Sequence, residues 1–179
     1  MQERPAPQGA KAGGKGKDVK IVACAITSFN RGRVMDREME ERAISLAVAL
    51  HAGQKRKDGS PYILHPLRVM TAFNDVPGYE GVILRTSAVL HDVVEDCEVD
   101  LPTITLTFGA DVSEAVDRLT RRNGEVYSEY VARCADHPLA RRVKIADTED
   151  NLRDVHLLPD PDEAKGLRKR YEWTLSVLR

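Results

Sequence analysis

The chain has 179 residues, with 27 Lys and Arg against 28 Asp and Glu, a length that suits one domain around one buried core. The even charge balance argues against a surface built for nucleic acid or for anionic lipid, and no apolar run approaches the roughly 20 residues that span a bilayer. The three Cys are widely spaced without a Cys-x-x-Cys pair, which argues against a disulfide framework and favours a reducing cytoplasm.

The N-terminal segment reads differently from the rest of the chain. Residues 1–17 are mostly Pro, Gly, Gln and Lys with little to bury, so we expect disorder there. The apolar stretch 21–29 contains Ala23-Cys24-Ala25, which faintly imitates a signal cleavage site, but it is short and Lys20 stands at its edge. Met35 offers an alternative start. We therefore predict a disordered or loosely packed tail over 1–35 and the folded domain over 36–179.

Helical periodicity dominates after Met35. Apolar residues recur at three and four positions, prolines stand at helix starts, and no stretch alternates as a strand does. The segment 81–97 is apolar nearly all round, which is typical of a buried central helix. The pattern predicts a single all-α bundle of about seven or eight helices. The predicted segments are 36–52, 66–74, 81–97, 102–108, 110–122, 127–135, 139–155 and 161–178.

Four ionisable residues interrupt the central apolar segment in the run His91-Asp92-Val93-Val94-Glu95-Asp96. Glu95 lies four positions after His91 and Asp96 four after Asp92, so the pairs stack along one helical stripe. Burying such groups without partners costs several kcal/mol each. A bound cation or other partners must compensate them, although a His-Asp dipeptide alone also occurs by chance.

Two further candidate ligands stand elsewhere in the chain. His65 precedes Pro66 at a predicted helix start, and Asp147 follows Lys144-Ile145-Ala146, with Asn151 one turn later. His65 alone could equally be a capping or core histidine. Two imidazoles and two carboxylates form a mixed nitrogen and oxygen set that suits manganese first and admits iron or zinc. The sequence thus predicts a metal site in which bound water serves as the nucleophile.

Three motifs in fixed order carry a resemblance to a known family. They are Gln54-x-Arg56-x-x-Gly59-x-Pro61-Tyr62-x-x-His65-Pro66, the HDVVED segment, and Lys144-x-Ala146-Asp147-x-x-x-Asn151-x-Arg153. The chain resembles the HD-domain alarmone hydrolases of the Rel/SpoT type over roughly residues 43–155. The segment Tyr171-Glu172-Trp173 is similar to the last helix of the small stand-alone members.

The resemblance implies a role for each matched residue. His65, His91, Asp92 and Asp147 would be manganese ligands, and Glu95 and Asp96 would position or activate water. Arg56 and Lys57 would contact the nucleotide, while Asn151 would line its pocket. The implied reaction removes the 3′ diphosphate from ppGpp or pppGpp, yielding pyrophosphate and GDP or GTP. A small nucleotide is the expected partner, and no synthetase domain is expected to follow.

The match to that family has two departures. The segment Thr148-Glu149-Asp150 stands where the family has apolar or basic character, and negative charge facing the pocket would disfavour a polyphosphate. The stretch 117–142 is also shorter than in alarmone hydrolases. Two alternatives therefore stay open: an HD phosphohydrolase acting on nucleoside monophosphates or the 2′ phosphate of NADPH, and a non-catalytic nucleotide sensor. Oligomeric state and regulation do not follow from the sequence.

Overall fold

The computed structural model describes residues 35–179, and the predicted N-terminal tail lies outside that range apart from Met35. Residues 36–179 form one compact unit. The described residues are helical apart from turns and one isolated bridge between Lys55 and Pro61. The prediction of an all-α fold is confirmed.

The helices follow the chain as a series of short rods joined by tight connections. They are α1 (35–50), α2 (Leu64–Thr71), α3 (Gly78–Leu90), α4 (Val93–Asp96), α5 (Leu101–Phe108), α6 (Ala110–Leu119), α7 (Tyr127–Ala135), α8 (Pro138–Asp154) and α9 (Pro161–Leu178), with a 3-10 turn at Val155–Leu157. Among the described residues no helix is both long and apolar enough to cross a membrane.

Local capping explains where several helices begin and end. Asp100 accepts from Thr103 N at the start of α5, and Asp160 accepts from the first turn of α9, where Pro161 occupies the first position. Gly109 lies between α5 and α6 with a φ of +90°. Residues with a side chain rarely adopt that backbone conformation, so a glycine suits this position. Short-range signals of this kind are readable in the sequence.

Helices α3 and α8 occupy the centre of the bundle. Nine of the thirteen residues of α3 are buried, and α3 packs against α2, α6 and α8. Helix α8 contacts α2, α3, α6, α7 and α9, so its faces meet neighbours on several sides. Polar groups on these two helices are therefore brought into the interior.

The predicted central helix over 81–97 is broken in the structure. Helix α3 ends at Leu90 and α4 begins at Val93, so His91 and Asp92 form the turn between them. Asp92 adopts φ −104° and ψ −4°, and its carbonyl accepts from Asp96 N at 2.8 Å. Because of this break, the side chains of the four ionisable residues are not arranged as they would be along one continuous helix.

Candidate metal centre and active-site pocket

Three of the predicted ligands meet between α2, the end of α3, and α8. His65, His91 and Asp147 each offer a ligand atom, and these atoms lie within 4.8 Å of one another. The Nε2 atoms of His65 and His91 lie 3.1 and 3.7 Å from Asp147 Oδ1. All three side chains are buried, so the cluster is an interior feature of the bundle.

The outer nitrogens of the two histidines fix which ring atom faces the cluster. Nδ1 of His91 lies 2.8 Å from the carbonyl oxygen of Ala88, and Nδ1 of His65 lies 2.7 Å from a carboxylate oxygen of Asp150. Because both partners can only accept, both Nδ1 atoms are the donors. In the neutral rings the Nε2 lone pairs then point inward, which is the state in which histidine ligates metals.

The surroundings of His91 Nε2, the ring nitrogen that faces the cluster, show whether these residues fit a cation. Nε2 is buried without a hydrogen-bond partner among the described residues, although Asp92 Oδ2 lies 2.8 Å away and Asp147 Oδ1 lies 3.7 Å away. An orphaned buried nitrogen costs free energy unless something satisfies it. A divalent metal ion bound by this nitrogen and by the nearby carboxylate oxygens would satisfy it. The set of donor atoms therefore fits a divalent metal ion.

The fourth predicted ligand, Asp92, lies beside this trio and opens onto the pocket. Its Oδ2 accepts a hydrogen bond from the hydroxyl of Tyr62. Burial, followed by the charge of Asp92, raises the pKa of Tyr62 well above its ordinary value, so the phenol stays a donor. Burial by itself would raise the pKa of Asp92, but the neighbouring His91 lowers this pKa by a larger amount. The net pKa is below the ordinary value, so this carboxyl is held ionised.

Asp147 is held by α8 itself. Lys144 Nζ donates to its Oδ2 at 2.7 Å, and Asn151 Nδ2 donates to its Oδ1 at 2.6 Å. Burial raises the pKa of Asp147, but the charge of Lys144, and then the neighbouring imidazoles of His65 and His91, hold it well below its ordinary range. The predicted pocket residue Asn151 therefore also orients a candidate ligand.

Glu95 and Asp96 lie on α4, and both side chains open onto the same pocket. Glu95 Oε2 accepts from the backbone N–H of Arg121 at 2.8 Å. Burial, and then the charge of Asp92, raises the pKa of each carboxyl, although the Arg121 N–H opposes the rise at Glu95 and Tyr62 opposes it at Asp96. A raised pKa suits a group that takes up a proton near neutral pH.

The pocket has a volume of about 410 Å³ and joins the cluster to a cationic rim. The predicted substrate contacts Arg56 and Lys57 line it, together with Lys55. Arg56 Nη2 donates to Asn151 Oδ1 at 3.0 Å, while Lys57 pairs with Glu163 on α9. Arg56 is thus fixed in direction before any ligand arrives.

The opposite wall is aromatic and also cationic. Tyr127 lies under the guanidinium carbons of Arg121 and Arg170, at 5.7 and 5.1 Å from its ring centre. The guanidinium of Arg121 donates to the backbone carbonyl of Glu125, and among residues 35–179 no carboxylate forms an ion pair with either arginine side chain. Cationic side chains therefore lie on both walls of the pocket beside the histidine and aspartate cluster, which suits an anionic ligand.

Sequence reasoning missed some residues of this site and undervalued others. Lys144 stood inside a recognised motif without an assigned role, yet its side chain lines the pocket. Tyr62 stood inside a recognised motif but had no assigned role. The signal that could have found Lys144 is its spacing of three residues from Asp147, which puts the two on one helical face.

Glu149 and Asp150, the acidic residues at which the chain differs from the family pattern, do not face the pocket. Glu149 pairs with Arg179, and neither carboxylate belongs to the pocket lining. Asp150 is buried and engages His65 together with three arginines, Arg56, Arg68 and Arg153. The condition under which this charge would disfavour a polyphosphate is therefore not met, because both carboxylates are paired within the protein.

The chain forms a helical bundle, and its buried cluster of histidine and aspartate side chains opens into a pocket lined by cations. These features are those of proteins that bind a metal ion through histidine and aspartate. Comparison with known proteins agrees. The family model described as "HD domain" matches residues 43–169, well over half of the chain, and the chain belongs to that family.

The relatives include both small and large proteins. The human protein named guanosine-3′,5′-bis(diphosphate) 3′-pyrophosphohydrolase MESH1 is 32% identical over 151 residues, covering 76% of this chain and 81% of that protein. The Mycobacterium leprae "Probable GTP pyrophosphokinase" is 32% identical over 143 residues, covering 74% of this chain. The chain spans only 18% of the length of that relative and 16% of a Streptomyces coelicolor GTP pyrophosphokinase.

A solved structure gives the same result. A protein described as a metazoan orthologue of SpoT that hydrolyses ppGpp superimposes with a TM-score of 0.64 at 26% identity. The match covers 78% of this chain and 83% of that one. The resemblance to the Rel/SpoT type of HD domain is therefore confirmed.

Proposed function

We propose that residues 36–179 form a metal-dependent phosphohydrolase that removes the 3′ diphosphate of guanosine 3′,5′-polyphosphates, converting ppGpp or pppGpp to GDP or GTP plus pyrophosphate. One observation carries the proposal. A buried cluster of two imidazoles and a carboxylate opens into a pocket rimmed by cations. The similarity to a small ppGpp pyrophosphohydrolase over most of both chains supports it.

His65, His91, Asp92 and Asp147 are the proposed holders of the metal, with Mn²⁺ as the first choice and Fe²⁺ or Zn²⁺ as alternatives. When bound, the ion supplies Lewis acidity toward a phosphoryl oxygen and toward the attacking water. The chain's own contribution is to place the proton of each neutral imidazole on Nδ1, so that Nε2 faces the cluster, and to hold both carboxylates ionised. The Nδ1 hydrogen bonds of His65 and His91 and the Tyr62 contact to Asp92 perform that task.

Glu95 and Asp96 are the proposed proton-handling pair. In the overall reaction a water oxygen bonds to the 3′ phosphorus, the phosphorus–O3′ bond breaks, and O3′ gains a proton. Water loses its proton as it attacks, and a carboxylate with a raised pKa on the pocket wall can accept it. The Arg121 N–H holds Glu95 in direction, so that this group stays aimed at the pocket.

Arg56, Lys57 and Asn151 are the proposed substrate contacts. A 3′,5′-bis(diphosphate) carries several negative charges, and guanidinium groups bind phosphate oxygens with two parallel hydrogen bonds. Arg56 is already anchored by Asn151 and Asp150, so little conformational entropy is lost when a ligand binds. Lys57 would exchange its exposed partner Glu163 for phosphate.

The test is pyrophosphate release from ppGpp by chelator-treated protein, with and without added Mn²⁺. NADPH and nucleoside monophosphates are offered in parallel as alternative substrates. Release of pyrophosphate that requires Mn²⁺ supports the proposal. Cleavage of another phosphate ester with ppGpp untouched would reject the substrate, and tight ppGpp binding without any cleavage would point to a nucleotide sensor.

A further inference from the structure

Asp150 is a buried carboxylate that belongs neither to the proposed metal ligands nor to the proposed substrate contacts. Its residue is only 6% exposed, although it lies between two pocket-lining residues, Asp147 and Asn151, on α8. A buried charge in a bundle interior is strongly unfavourable without several partners. The identity of those partners indicates what the residue does.

The carboxylate engages four cationic or ionisable side chains. Oδ2 lies 2.7 Å from His65 Nδ1, 2.8 Å from Arg68 Nη2 and 3.5 Å from Arg56 Nη1. Oδ1 accepts from Arg68 Nε at 2.8 Å and from Arg153 Nη2 at 2.6 Å. The fork from Arg68 fixes the plane of the carboxylate, because two parallel bonds leave it no rotation.

The contact with His65 acts on the metal cluster through the imidazole. A carboxylate that accepts from the outer nitrogen of a ligating histidine fixes its tautomer, holds the ring orientation and raises its basicity. His65 Nε2 is then presented 3.1 Å from Asp147 Oδ1. The guanidinium groups of Arg68 and Arg153 donate to the same carboxylate and neutralise its charge, so Asp150 remains an acceptor for His65.

The contact with Arg56 acts on the other half of the site. Arg56 Nη1 lies near Asp150 while Nη2 donates to Asn151, so the two α8 residues hold the guanidinium from one side. The same carboxylate therefore touches a candidate metal ligand on α2 and a candidate phosphate contact on the 51–63 connection. Asp150 therefore connects the residues proposed for metal binding with those proposed for substrate binding.

We propose that Asp150 is a positioning residue that orients His65 for metal binding and Arg56 for substrate binding through one carboxylate. This proposal rests on the proposed function, since it needs a metal at the cluster and an anion at Arg56. It extends that function by assigning a role outside the ligand and substrate contacts. Asp150 itself is not one of the candidate ligands, and it does not line the pocket.

The test measures Mn²⁺ affinity and kinetics in the full chain carrying Asp150→Asn, Asp150→Ala or the control Glu149→Gln. Glu149 is the adjacent carboxylate, exposed and paired with Arg179, so its variant should match wild type. Mn²⁺ dissociation constants are measured by calorimetry on protein whose helix content by circular dichroism equals wild type. The Michaelis constant for ppGpp is measured at saturating Mn²⁺.

We expect Asp150→Ala to weaken Mn²⁺ binding about 10- to 100-fold, the range found for outer partners of ligating histidines. Asp150→Asn keeps an oxygen for His65 Nδ1–H and should lose less, which amounts to partial rescue. At saturating Mn²⁺ both variants should raise the Michaelis constant more than they lower kcat, because Arg56 has lost an anchor.

A purely structural role gives a different result. Folded Asp150→Ala or Asp150→Asn protein with wild-type Mn²⁺ affinity would overturn the proposal, even if thermal stability fell. If Asp150→Ala does not fold, Asp150→Asn decides the matter alone, since some loss of Mn²⁺ affinity is required of it. Wild-type protein that binds Mn²⁺ without cleaving ppGpp, alongside weakened binding in the variants, would reject the proposed function and leave the positioning role standing.

Discussion

The ion pair between Glu125 and Arg133 holds the connection between α6 and α7, and its contribution depends on pH. Arg133 Nε and Nη2 donate to the Glu125 carboxylate at 2.9 and 2.8 Å, and each side chain is only 12% exposed. Arg133 also donates to three carbonyl oxygens near the end of α6, those of Asp117, Arg118 and Thr120. The same connection carries Arg121, whose N–H holds Glu95.

The magnitude follows from the effect of Arg133 on Glu125. The hydrogen bonds from Arg133, together with the backbone N–H of Arg122 and the charges of both arginines, outweigh burial and lower the pKa of Glu125 from its ordinary 4.5 to about 2. Because a tenfold change in proton affinity is worth about 1.36 kcal/mol, ionised Glu125 contributes at most about 3 kcal/mol to the free energy of unfolding, and solvent that reaches the pair reduces this contribution. Glu125→Gln removes the charge and retains one acceptor, so we expect a loss of about 1 to 3 kcal/mol at pH 7.

The sign of the pH dependence follows from a lowered pKa in the folded state. Above pH 4.5 the carboxylate is ionised in both states and the whole contribution is present. As the pH falls toward about 2 the unfolded state takes up its proton first, so the contribution decreases and then vanishes. At pH 3 less than half of the contribution should remain.

Urea unfolding followed by circular dichroism, for wild type and Glu125→Gln between pH 3 and pH 7, measures this contribution. The gap between the two proteins should shrink by more than half over that range. A gap that stays constant with pH would contradict the electrostatic origin. A gap below about 0.5 kcal/mol at pH 7 would place the pair with surface ion pairs, which contribute little.

Three further outcomes are expected. Asp92→Ala should abolish Mn²⁺ binding and turnover while circular dichroism shows helix content retained, and turnover with stoichiometric metal would refute its place among the ligands. Arg56→Ala should raise the Michaelis constant for ppGpp while calorimetry shows Mn²⁺ still bound, and metal loss would mean that Arg56 acts on the cluster. Leu84→Ala removes a fully buried side chain from α3 and should lower the free energy of unfolding by about 2 to 5 kcal/mol in urea titrations, whereas a cost below about 1 kcal/mol would contradict a tightly packed centre.

The sequence by itself determined the all-helical fold and most helix bounds. The last helix and the segment from Tyr127 to Ala135 begin and end where periodicity and capping residues predicted. These signals act within a few positions of the chain, since a cap or a glycine needs only its own turn. The same local motifs picked out every candidate ligand, and their spacing in order indicated the family.

Only the tertiary structure decided how those residues cooperate. The bond from Tyr62 to Asp92 joins residues 30 positions apart, and the bond from His65 to Asp150 spans 85 positions. The turn at His91 and Asp92 likewise broke a helix that periodicity extended to residue 97. Pairings across such distances depend on which helix faces meet, and the apolar pattern gives the direction of a face without naming its partner.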